Sequence, residues 1–180
     1  LKTRFGNLGN ILDFDTLTKE NIYVLNSPIL SNSQFNKFIN FFGKNSIKID
    51  CTFTQEENLT DAIKRIQKDA EIAVRQGITQ IILSDKDLSS QKLPMPMLLC
   101  VGAINTYLIE KKLRGYVSIN VQSGEALDTH SFATLIGVGA TTINPYLAFD
   151  SLYQRHSKKL FGQFSFDECV QRYIKSVNAG

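Results

Sequence analysis

From residue 47 onwards, short apolar runs alternate with longer segments of helical periodicity, and this order restricts the fold more than any other feature. The predicted strands cover residues 47–53, 78–84, 117–121 and 140–144. The predicted helices that alternate with them and follow them cover about 59–74, 97–113, 126–136, 147–160 and 166–177. Because strands that alternate with helices form right-handed βαβ units, we predict an α/β domain with a mostly parallel four-stranded sheet. Its helices lie on both faces, in a Rossmann-like or partial-barrel arrangement.

A phenylalanine-rich helix is predicted before the first strand, with Ser31 or Ser33 as its N-cap and Gly43 at its end. Its aromatic side chains fall on more than one face of the helix: Phe35, Phe38, Phe41 and Phe42. A surface helix normally buries a single apolar stripe. We therefore expect some of these rings to face a partner outside the chain.

Residues 1–26 have no clear periodicity, and we interpret them as an N-terminal arm or linker before an α/β domain that covers residues 27–180. The sequence starts with Leu1 rather than Met. We therefore expect the chain to be part of a longer protein.

The composition excludes several classes of protein. A net charge of +3 with interspersed acids and bases is not that of a nucleic-acid binder. There is no run of about 18 apolar residues, so no membrane span is expected. Three widely spaced cysteines, Cys51, Cys100 and Cys169, argue against a disulfide framework and a zinc site. They favour buried thiols in a reducing compartment.

The loop after the third predicted strand contains Ser123, Glu125, Asp128 and His130. His130 with a carboxylate could form a general acid–base pair. Alternatively, Ser123 is the N-cap of the next helix, and the two acids interact with the positive end of its dipole. We favour the capping interpretation. A nucleophilic serine is not indicated, because the chain has no GxSxG motif around Ser123.

Other candidates are weaker or ambiguous. Asp85 follows a strand, where α/β enzymes often place functional groups, but it could equally belong to a solvated loop. Gly137 and Gly139 lie between a helix and a strand, the reverse of a phosphate-binding loop, and indicate a helix end. His156 lies on a basic helix face and is distant in sequence from His130, so no metal site is predicted.

Several segments resemble the central domain of the glutamate synthase large subunit. They are SPIL, IILSD, PMLLCVGAIN and QSGEA…HSFATLIGVGATTINPYLA, within residues 27–30, 81–85, 96–105 and 122–148. Their order and spacing are similar to that domain from about residue 27 to residue 173. The final segment VQRYIKSVNAG resembles the exit of that domain toward a flavin domain.

The resemblance implies a multidomain oxidoreductase with a glutaminase domain, this central domain, an FMN barrel carrying an iron–sulfur cluster, and a β-helix. Ammonia released from glutamine passes through a tunnel, adds to 2-oxoglutarate, and the imine is reduced to glutamate at the flavin. The central domain is then a connector, inactive alone, with no catalytic, cofactor-binding or metal-binding residue of its own. Its partners are the glutaminase and FMN domains, with a reductase subunit or ferredoxin as electron donor. The compartment is cytoplasmic or plastid-like.

Some positions depart from the family pattern. Members often have Glu at the position of Gln122, and commonly a His-His pair at the position of His130 and Ser131. They also have a histidine-rich run at the position of residues 105–107. Such changes support a scaffold role for this loop. The alternative is a stand-alone small-molecule or nucleotide-binding module that uses the edge near Asp85, Ser123 and Asn144.

The resemblance also implies an ammonia tunnel, which must exclude bulk water and carry few fixed charges. The uncharged segment Ser27-Pro28-Ile29-Leu30 and the end of the first core strand, at Thr52, fit this requirement. We predict that the two segments meet and line part of the tunnel, with Thr52 near a constriction. The alternative is that both are core turns without a special role.

Overall fold

The structure, a computed structural model, describes residues 3–5 and 23–180. The described residues form eight strands and six α-helices. The strands are β1 Thr3–Phe5, β2 Tyr23–Leu25, β3 Ser46–Asp50, β4 Thr52–Thr54, β5 Gln80–Ser84, β6 Lys92–Pro94, β7 Ser118–Gln122 and β8 Thr142–Asn144. The helices are α1 Asn32–Phe42, α2 Leu59–Arg75, α3 Met97–Glu110, α4 Thr129–Gly137, α5 Tyr146–Ser157 and α6 Phe166–Ala179.

The central sheet has four parallel strands in the order β3-β5-β7-β8, with helices on both faces, which confirms the predicted architecture. The four strands of this sheet lie side by side in the same order as they occur along the chain. The strand order therefore never reverses, and the sheet lacks the topological switch point of a Rossmann fold. Of the two predicted arrangements, the consecutive order is that of a partial barrel.

The segment before α1 extends this sheet instead of forming a simple turn. Ile29 pairs in parallel with Ile143 of β8. The Leu30 amide donates to the Ile143 carbonyl at 2.9 Å, and the Ile143 amide donates to the Pro28 carbonyl at 2.8 Å. Residues 28–30 thus lie beside β8, at the edge of the sheet opposite β3.

The prediction of one strand over residues 47–53 is wrong at Cys51, where the chain bends. The Asp50 carboxylate accepts hydrogen bonds from the Thr52 amide at 3.0 Å and the Thr52 hydroxyl at 2.7 Å. Such an Asp side-chain turn competes with a continuous strand. After the bend, β4 leaves the central sheet and pairs antiparallel with β6.

Side-chain capping fixes the starts of several helices. Ser31 caps α1 in a capping box with Gln34, and Asn58 caps α2 through the Asp61 amide. Ser31 was one of the two predicted caps of α1. Ser165 and Glu168 form a second capping box at the start of α6.

Two apolar cores lie on opposite faces of the central sheet. The larger core packs the strands against α2, α3, α4 and α6, and includes Ile81 and Leu83 of β5. The smaller core contains Ile82 of the same strand, together with Leu30 and rings from α1. This division follows from strand geometry, because successive side chains point to opposite faces.

The phenylalanine-rich helix α1 is only partly covered, as predicted. Phe35 and Phe38 are buried, Phe42 is half-buried, and Phe41 is 42% exposed. The expectation that exposed rings face a partner stays a prediction.

The described ends of the N-terminal arm form a two-stranded antiparallel ribbon, in which Thr3 pairs with Leu25 and Phe5 with Tyr23. The Phe5 ring packs edge-on against Phe38 at 5.2 Å between ring centroids. The rest of the predicted arm, residues 1–2 and 6–22, lies outside the described residues.

Among the described residues, no helix combines the length and apolarity needed to cross a bilayer.

Candidate functional site

The carboxyl ends of β5, β7 and β8 bring together Asp85, Ser123, Gly124 and Tyr146, which come from three separate connections. Parallel strands end at a common edge, so residues distant in sequence become neighbours there. Asp85 and Ser123 were predicted to lie at this edge, whereas Tyr146 was not.

Asp85 is a buried carboxylate that is hydrogen-bonded by the next connection. Only 2% of its surface is exposed. The Ser123 hydroxyl donates to Asp85 Oδ2 at 2.6 Å, and the Gly124 amide lies 3.1 Å from each carboxylate oxygen. These charge-assisted hydrogen bonds replace the water that burial removes. The solvated-loop interpretation of Asp85 is therefore wrong, although the following residues, Lys86 and Asp87, are exposed.

Tyr146 covers the same cluster from the start of α5. Burial raises the pKa of Tyr146 to about 12, and the nearby negative charge of Asp85 acts in the same direction. The Lys86 ammonium lies 5.5 Å from the centroid of the Tyr146 ring. The tyrosine therefore keeps its proton at neutral pH, and the cluster holds one carboxylate beside one cation.

Gly124 permits this close packing. A Cβ atom added at Gly124 would lie 3.1 Å from the Tyr146 hydroxyl oxygen and 3.5 Å from Leu147 Cδ2. A larger residue would separate the connection after β7 from the start of α5. Ser123 and Gly124 together therefore allow this connection to hydrogen-bond to Asp85.

The predicted capping of α4 by Ser123 is wrong. The helix begins at Thr129, and its N-cap is Asp128, which accepts a hydrogen bond from the Ser131 amide at 2.8 Å. Hydrogen bonds from the amide and hydroxyl of Ser131 hold the pKa of Asp128 below its usual value. Ser123 is unavailable as a cap because it binds Asp85.

Glu125 caps a helix, but not the predicted one. Its Oε2 accepts a hydrogen bond from the Met97 amide at 2.9 Å, at the start of α3. That helix starts after Pro96, which offers no side-chain cap. His130 is exposed in the first turn of α4, and the hydrogen bonds of Asp85 come from Ser123 and Gly124. The two carboxylates that could have paired with His130 bind other groups: Glu125 accepts from the Met97 amide, and Asp128 accepts from the amide and hydroxyl of Ser131.

One face of the sheet carries two lines of uncharged polar side chains that cross the strands. In the first line, Asn120 Nδ2 donates to Gln80 Oε1 at 3.1 Å, and the Thr142 hydroxyl donates to Asn120 Oδ1 at 2.7 Å. All three side chains are buried. We call these two lines the amide ladder.

The second line of the amide ladder reaches the segment before α1. The Ser84 hydroxyl donates to Gln122 Oε1 at 2.9 Å, and Gln122 Nε2 donates to Asn144 Oδ1 at 3.1 Å. Asn144 Nδ2 then donates to the Leu30 carbonyl and to Asn32 Oδ1, each at 2.9 Å. The amide ladder was not predicted, although the polar residues Asn120 and Gln122, which alternate with apolar residues in one strand, were a visible signal of it.

A groove of about 580 Å³ lies between β2, residues 26–30 and α6. Ser27, Ile29 and Leu30 line it, as do Gln171 and Asn178 of α6. Lys175 is the one charged side chain among the described lining residues. Three of the predicted tunnel residues therefore border one largely uncharged groove, whereas Pro28 is not among its lining residues.

Thr52 lies elsewhere, in charged surroundings. Its carbonyl accepts a hydrogen bond from Arg65 Nη2 at 2.7 Å, and its hydroxyl binds Asp50, which is ion-paired with Lys92 at 2.9 Å. Thr52 follows β3, and strands β5, β7 and β8 lie between β3 and Ile29 in the central sheet. The prediction that the two segments meet is therefore wrong, because β3 and residues 28–30 occupy opposite edges.

Comparison with known proteins identifies the family. A family model described as the glutamate synthase central domain matches residues 1–180. The chain belongs to this family. The large chain of glutamate synthase [NADPH] from Azospirillum brasilense is 43% identical over 183 residues, which cover 100% of this chain and 12% of that protein.

Two further relatives agree with this result. The large chain of glutamate synthase [NADPH] from Bacillus subtilis is 43% identical over 158 residues, covering 87% of this chain and 10% of that protein. The chloroplastic ferredoxin-dependent glutamate synthase of Spinacia oleracea is 34% identical over 195 residues, covering 100% and 12%. This glutamate synthase central domain thus spans about an eighth or less of each of these relatives.

The cysteines of this glutamate synthase central domain lie in its interior. Cys51, Cys100 and Cys169 are all buried. Hydrogen bonding with Cys100 and burial raise the pKa of the Cys51 thiol. Within residues 3–5 and 23–180, no group of three His, Cys, Asp or Glu side chains is placed to hold a metal ion.

Gly139 of this central domain follows the end of α4, in agreement with the predicted helix end, and it permits close packing there. Its φ is +121°, and an added Cβ would lie 2.6 Å from Asn105 Cγ. The Arg114 guanidinium donates to the Gly139 carbonyl at 2.9 Å and to Asn105 Oδ1 at 2.7 Å. The glycine therefore allows the end of α4 to approach α3.

Proposed function

We propose that this domain connects the glutaminase and FMN domains of a full-length glutamate synthase. The parent enzyme makes glutamate from glutamine and 2-oxoglutarate as an oxidoreductase. The observation that carries the proposal is the family match over residues 1–180, in a chain that spans 12% of its Azospirillum relative. The connector is the part between two reacting centres and contributes no reacting group.

The chemistry of the carboxyl edge supports a structural role. Both oxygens of Asp85 accept hydrogen bonds from the chain itself, one of them from the Ser123 hydroxyl. Ser123 is fully buried, so its hydroxyl is not presented to a substrate. Tyr146 is also held protonated. The cluster therefore fixes the connections after β5, β7 and β8 in place.

The groove beside residues 27–30 is the part of the domain that suits ammonia transfer, and we place a section of the ammonia tunnel there. Ammonia reacts as the neutral molecule, and fixed carboxylates along its path would favour ammonium. Among the described lining residues of the groove, Lys175 alone is charged, and none is acidic. Thr52 is a weaker candidate for the tunnel because Asp50, Arg65 and Lys92 surround it.

A bulky substitution in the groove of the full-length enzyme tests the tunnel. Asn178→Trp should uncouple glutamine hydrolysis from glutamate formation, while glutamate formation with externally added ammonium salts survives. Gln154→Trp is the matched control, because Gln154 is an exposed amide on the neighbouring helix α5 and does not line the groove. Thr52→Leu tests the second candidate. Full coupling in a folded Asn178→Trp enzyme would remove the groove from the ammonia path.

The remaining functions are assigned to other parts of the parent chain. FMN and the iron–sulfur cluster belong to those parts, as does the contact with the electron donor, either a reductase subunit or ferredoxin. The compartment follows from the parent enzyme, as cytoplasmic or plastid-like. The purified segment should lack glutaminase activity, FMN uptake and glutamate formation. Clear activity in any of these three assays would contradict the connector role.

A thermal-shift screen of the purified segment separates a connector from a stand-alone binding module. A ligand at a hundred times its dissociation constant should stabilise a binding module by about 2.7 kcal/mol. Nucleotides, flavins and 2-oxo acids are the classes to test. A connector should show no shift with any of them.

A further inference from the structure

Five leucines stand half-exposed on the connections that leave the carboxyl ends of the parallel strands. Their exposed fractions lie between 44% and 53%; they are Leu88, Leu93, Leu98, Leu127 and Leu147. The first three belong to the connection from β5 and the start of α3, and the other two follow β7 and β8. We call this surface the leucine edge.

Contacts made by neighbouring residues bring three of these positions, Leu98, Leu127 and Leu147, close together. The hydrogen bond from the Met97 amide to Glu125 brings the start of α3, with Leu98, against the connection that carries Leu127. Gly124 of that connection lies against Leu147, since an added Cβ would be 3.5 Å from Leu147 Cδ2. The Tyr173 hydroxyl also donates to the Leu127 carbonyl at 3.1 Å.

The polar groups of this edge are directed inward, which leaves leucine side chains at its surface. Ser123 and Gly124 bind the buried Asp85, and Glu125 caps α3. Isolated exposed leucines are ordinary, but a group of them on interlocked connections is typical of an interaction surface. Connections that are already fixed lose little conformational entropy on docking.

Two structural observations indicate what covers the leucine edge. Gly180 packs against Thr129, two residues after Leu127, with an added Cβ only 2.9 Å from Thr129 Oγ1. The N-terminal ribbon lies instead against α1 in the smaller core, through Phe5 and Phe38. Polypeptide joined to Gly180 therefore starts beside the leucine edge, whereas polypeptide joined to the ribbon starts beside α1.

We propose that the leucine edge is the docking surface for the part of the parent glutamate synthase that follows residue 180. The inference rests on the proposed connector function. It identifies the carboxyl ends of the strands as an apolar interdomain contact. The relatives provide ample chain for such a partner, since this segment spans only 12% of the Azospirillum protein.

Site-specific photo-crosslinking in the full-length enzyme tests the surface and its occupant together. The photoreactive residue p-benzoylphenylalanine replaces Leu127 in one variant and Leu147 in another. The matched control carries it at Ile109, which is 57% exposed near the other end of α3. We expect the variants at 127 and 147 to crosslink within one chain to peptides that follow residue 180, at least tenfold more than the control.

Other crosslinking patterns would overturn the inference, and they separate it from the connector function. Crosslinks from 127 and 147 to peptides that precede this segment would leave the connector function intact but contradict the occupant. Crosslinks to a second copy, identified by mixing isotopically labelled and unlabelled enzyme, would assign the edge to an oligomer interface. Absence of crosslinks at 127 and 147, with strong ones at 109, would place the contact at the opposite end. Absence at all three positions would count against the connector function as well.

Discussion

Asp85 shows how one buried charge can fix three connections at once. Its carboxylate follows β5, its hydrogen-bond donors Ser123 and Gly124 follow β7, and Tyr146 follows β8. A buried charge is strongly destabilising when its partners are removed. The energetic role of this cluster can therefore be measured at a single partner.

Replacement of Ser123 by alanine should destabilise the domain by about 1–3 kcal/mol, because the buried Asp85 carboxylate loses a hydroxyl donor. The change is measured as the free energy of unfolding in urea. Asp87→Asn is the control: Asp87 forms an exposed ion pair with Lys48 at 2.7 Å, and such pairs contribute less than about 1 kcal/mol. Equal effects of the two substitutions would show that the Asp85 cluster has no special energetic importance.

Two tyrosines should make the domain sensitive to alkali. Burial raises the pKa of Tyr146 and of Tyr173 to about 12, from an ordinary value of 10.0. A pKa raised by folding gives stability that is complete below pH 10 and is lost as the pH rises from 10 to 12. Tyr146→Phe and Tyr173→Phe should each reduce this loss in urea unfolding measured across that range. Tyr116→Phe, at a position that is 71% exposed, is the control and should leave the profile unchanged.

The sequence identified Asp85 and Ser123 as members of one edge, since both follow predicted parallel strands. It could not show that they bind each other. Capping a helix and binding a buried carboxylate both require a small hydroxyl after a strand. The choice between the two roles depends on a contact across 38 residues, which no local pattern encodes.

At the scale of secondary-structure elements, the amide ladder ties β5, β7 and β8 in register on the face opposite the larger core. Asn120 receives the Thr142 hydroxyl on one side and donates to Gln80 on the other. These two links connect side chains on adjacent strands. The ladder thus adds side-chain hydrogen bonds to those of the backbone.

Substitution of Asn120 by valine should be strongly destabilising, because Gln80 and Thr142 are left buried without partners, at about 1–3 kcal/mol for each group. The double variant Asn120→Val with Thr142→Val should recover part of the loss, since removing both partners leaves fewer unsatisfied groups. A double-mutant cycle of urea unfolding measures the coupling. Strictly additive losses would mean that the two side chains are not coupled.

The elements that sequence predicted well are those with strong periodicity and clear caps. Helix α2 begins after Asn58 as predicted, and Gly77 follows its end with a φ of +88°. The short pair of β4 and β6 was missed because the Asp50 turn breaks an apparently continuous strand. The start of α4 was misplaced because Ser123 and Asp128 are both good caps, and Ser123 is already bound.

At the scale of the whole molecule, the central sheet separates two cores of unequal size, and β5 contributes to both. Ile82 belongs to the smaller core, while Ile81 and Leu83 belong to the larger. The smaller core also includes the N-terminal ribbon through Phe5 and Leu25. A shared central strand should make the two cores unfold together.

Replacement of Phe38 by alanine should cost about 3–5 kcal/mol, as is usual for a fully buried aromatic ring. The midpoint of urea unfolding should fall equally when followed by far-UV circular dichroism and by tyrosine fluorescence, because one transition involves both cores. Phe41→Ala, at a 42% exposed position on the same helix, is the matched control and should cost far less. Two separate transitions in the Phe38 variant would show that the smaller core unfolds independently.

The overall architecture was predictable because strand and helix periodicity persist along most of the chain. The position of residues 28–30 was not, since the Asn144 amide reaches the Leu30 carbonyl across 114 residues. The same long-range pairing places residues 28–30 of the proposed tunnel segment at the edge of the sheet opposite β3, which Thr52 follows. A groove between distant segments cannot be inferred from either segment alone.

The amide ladder also limits how the sequence can change over generations. Gln122 accepts from Ser84 and donates to Asn144, so a single replacement affects two neighbours at once. A glutamate at this position has no hydrogen to donate, and Asn144 would have to rotate its amide and release Leu30 or Asn32. Inherited variation at 84, 122, 144 and 32 should therefore occur as correlated sets, visible as covariation in any deep collection of related sequences.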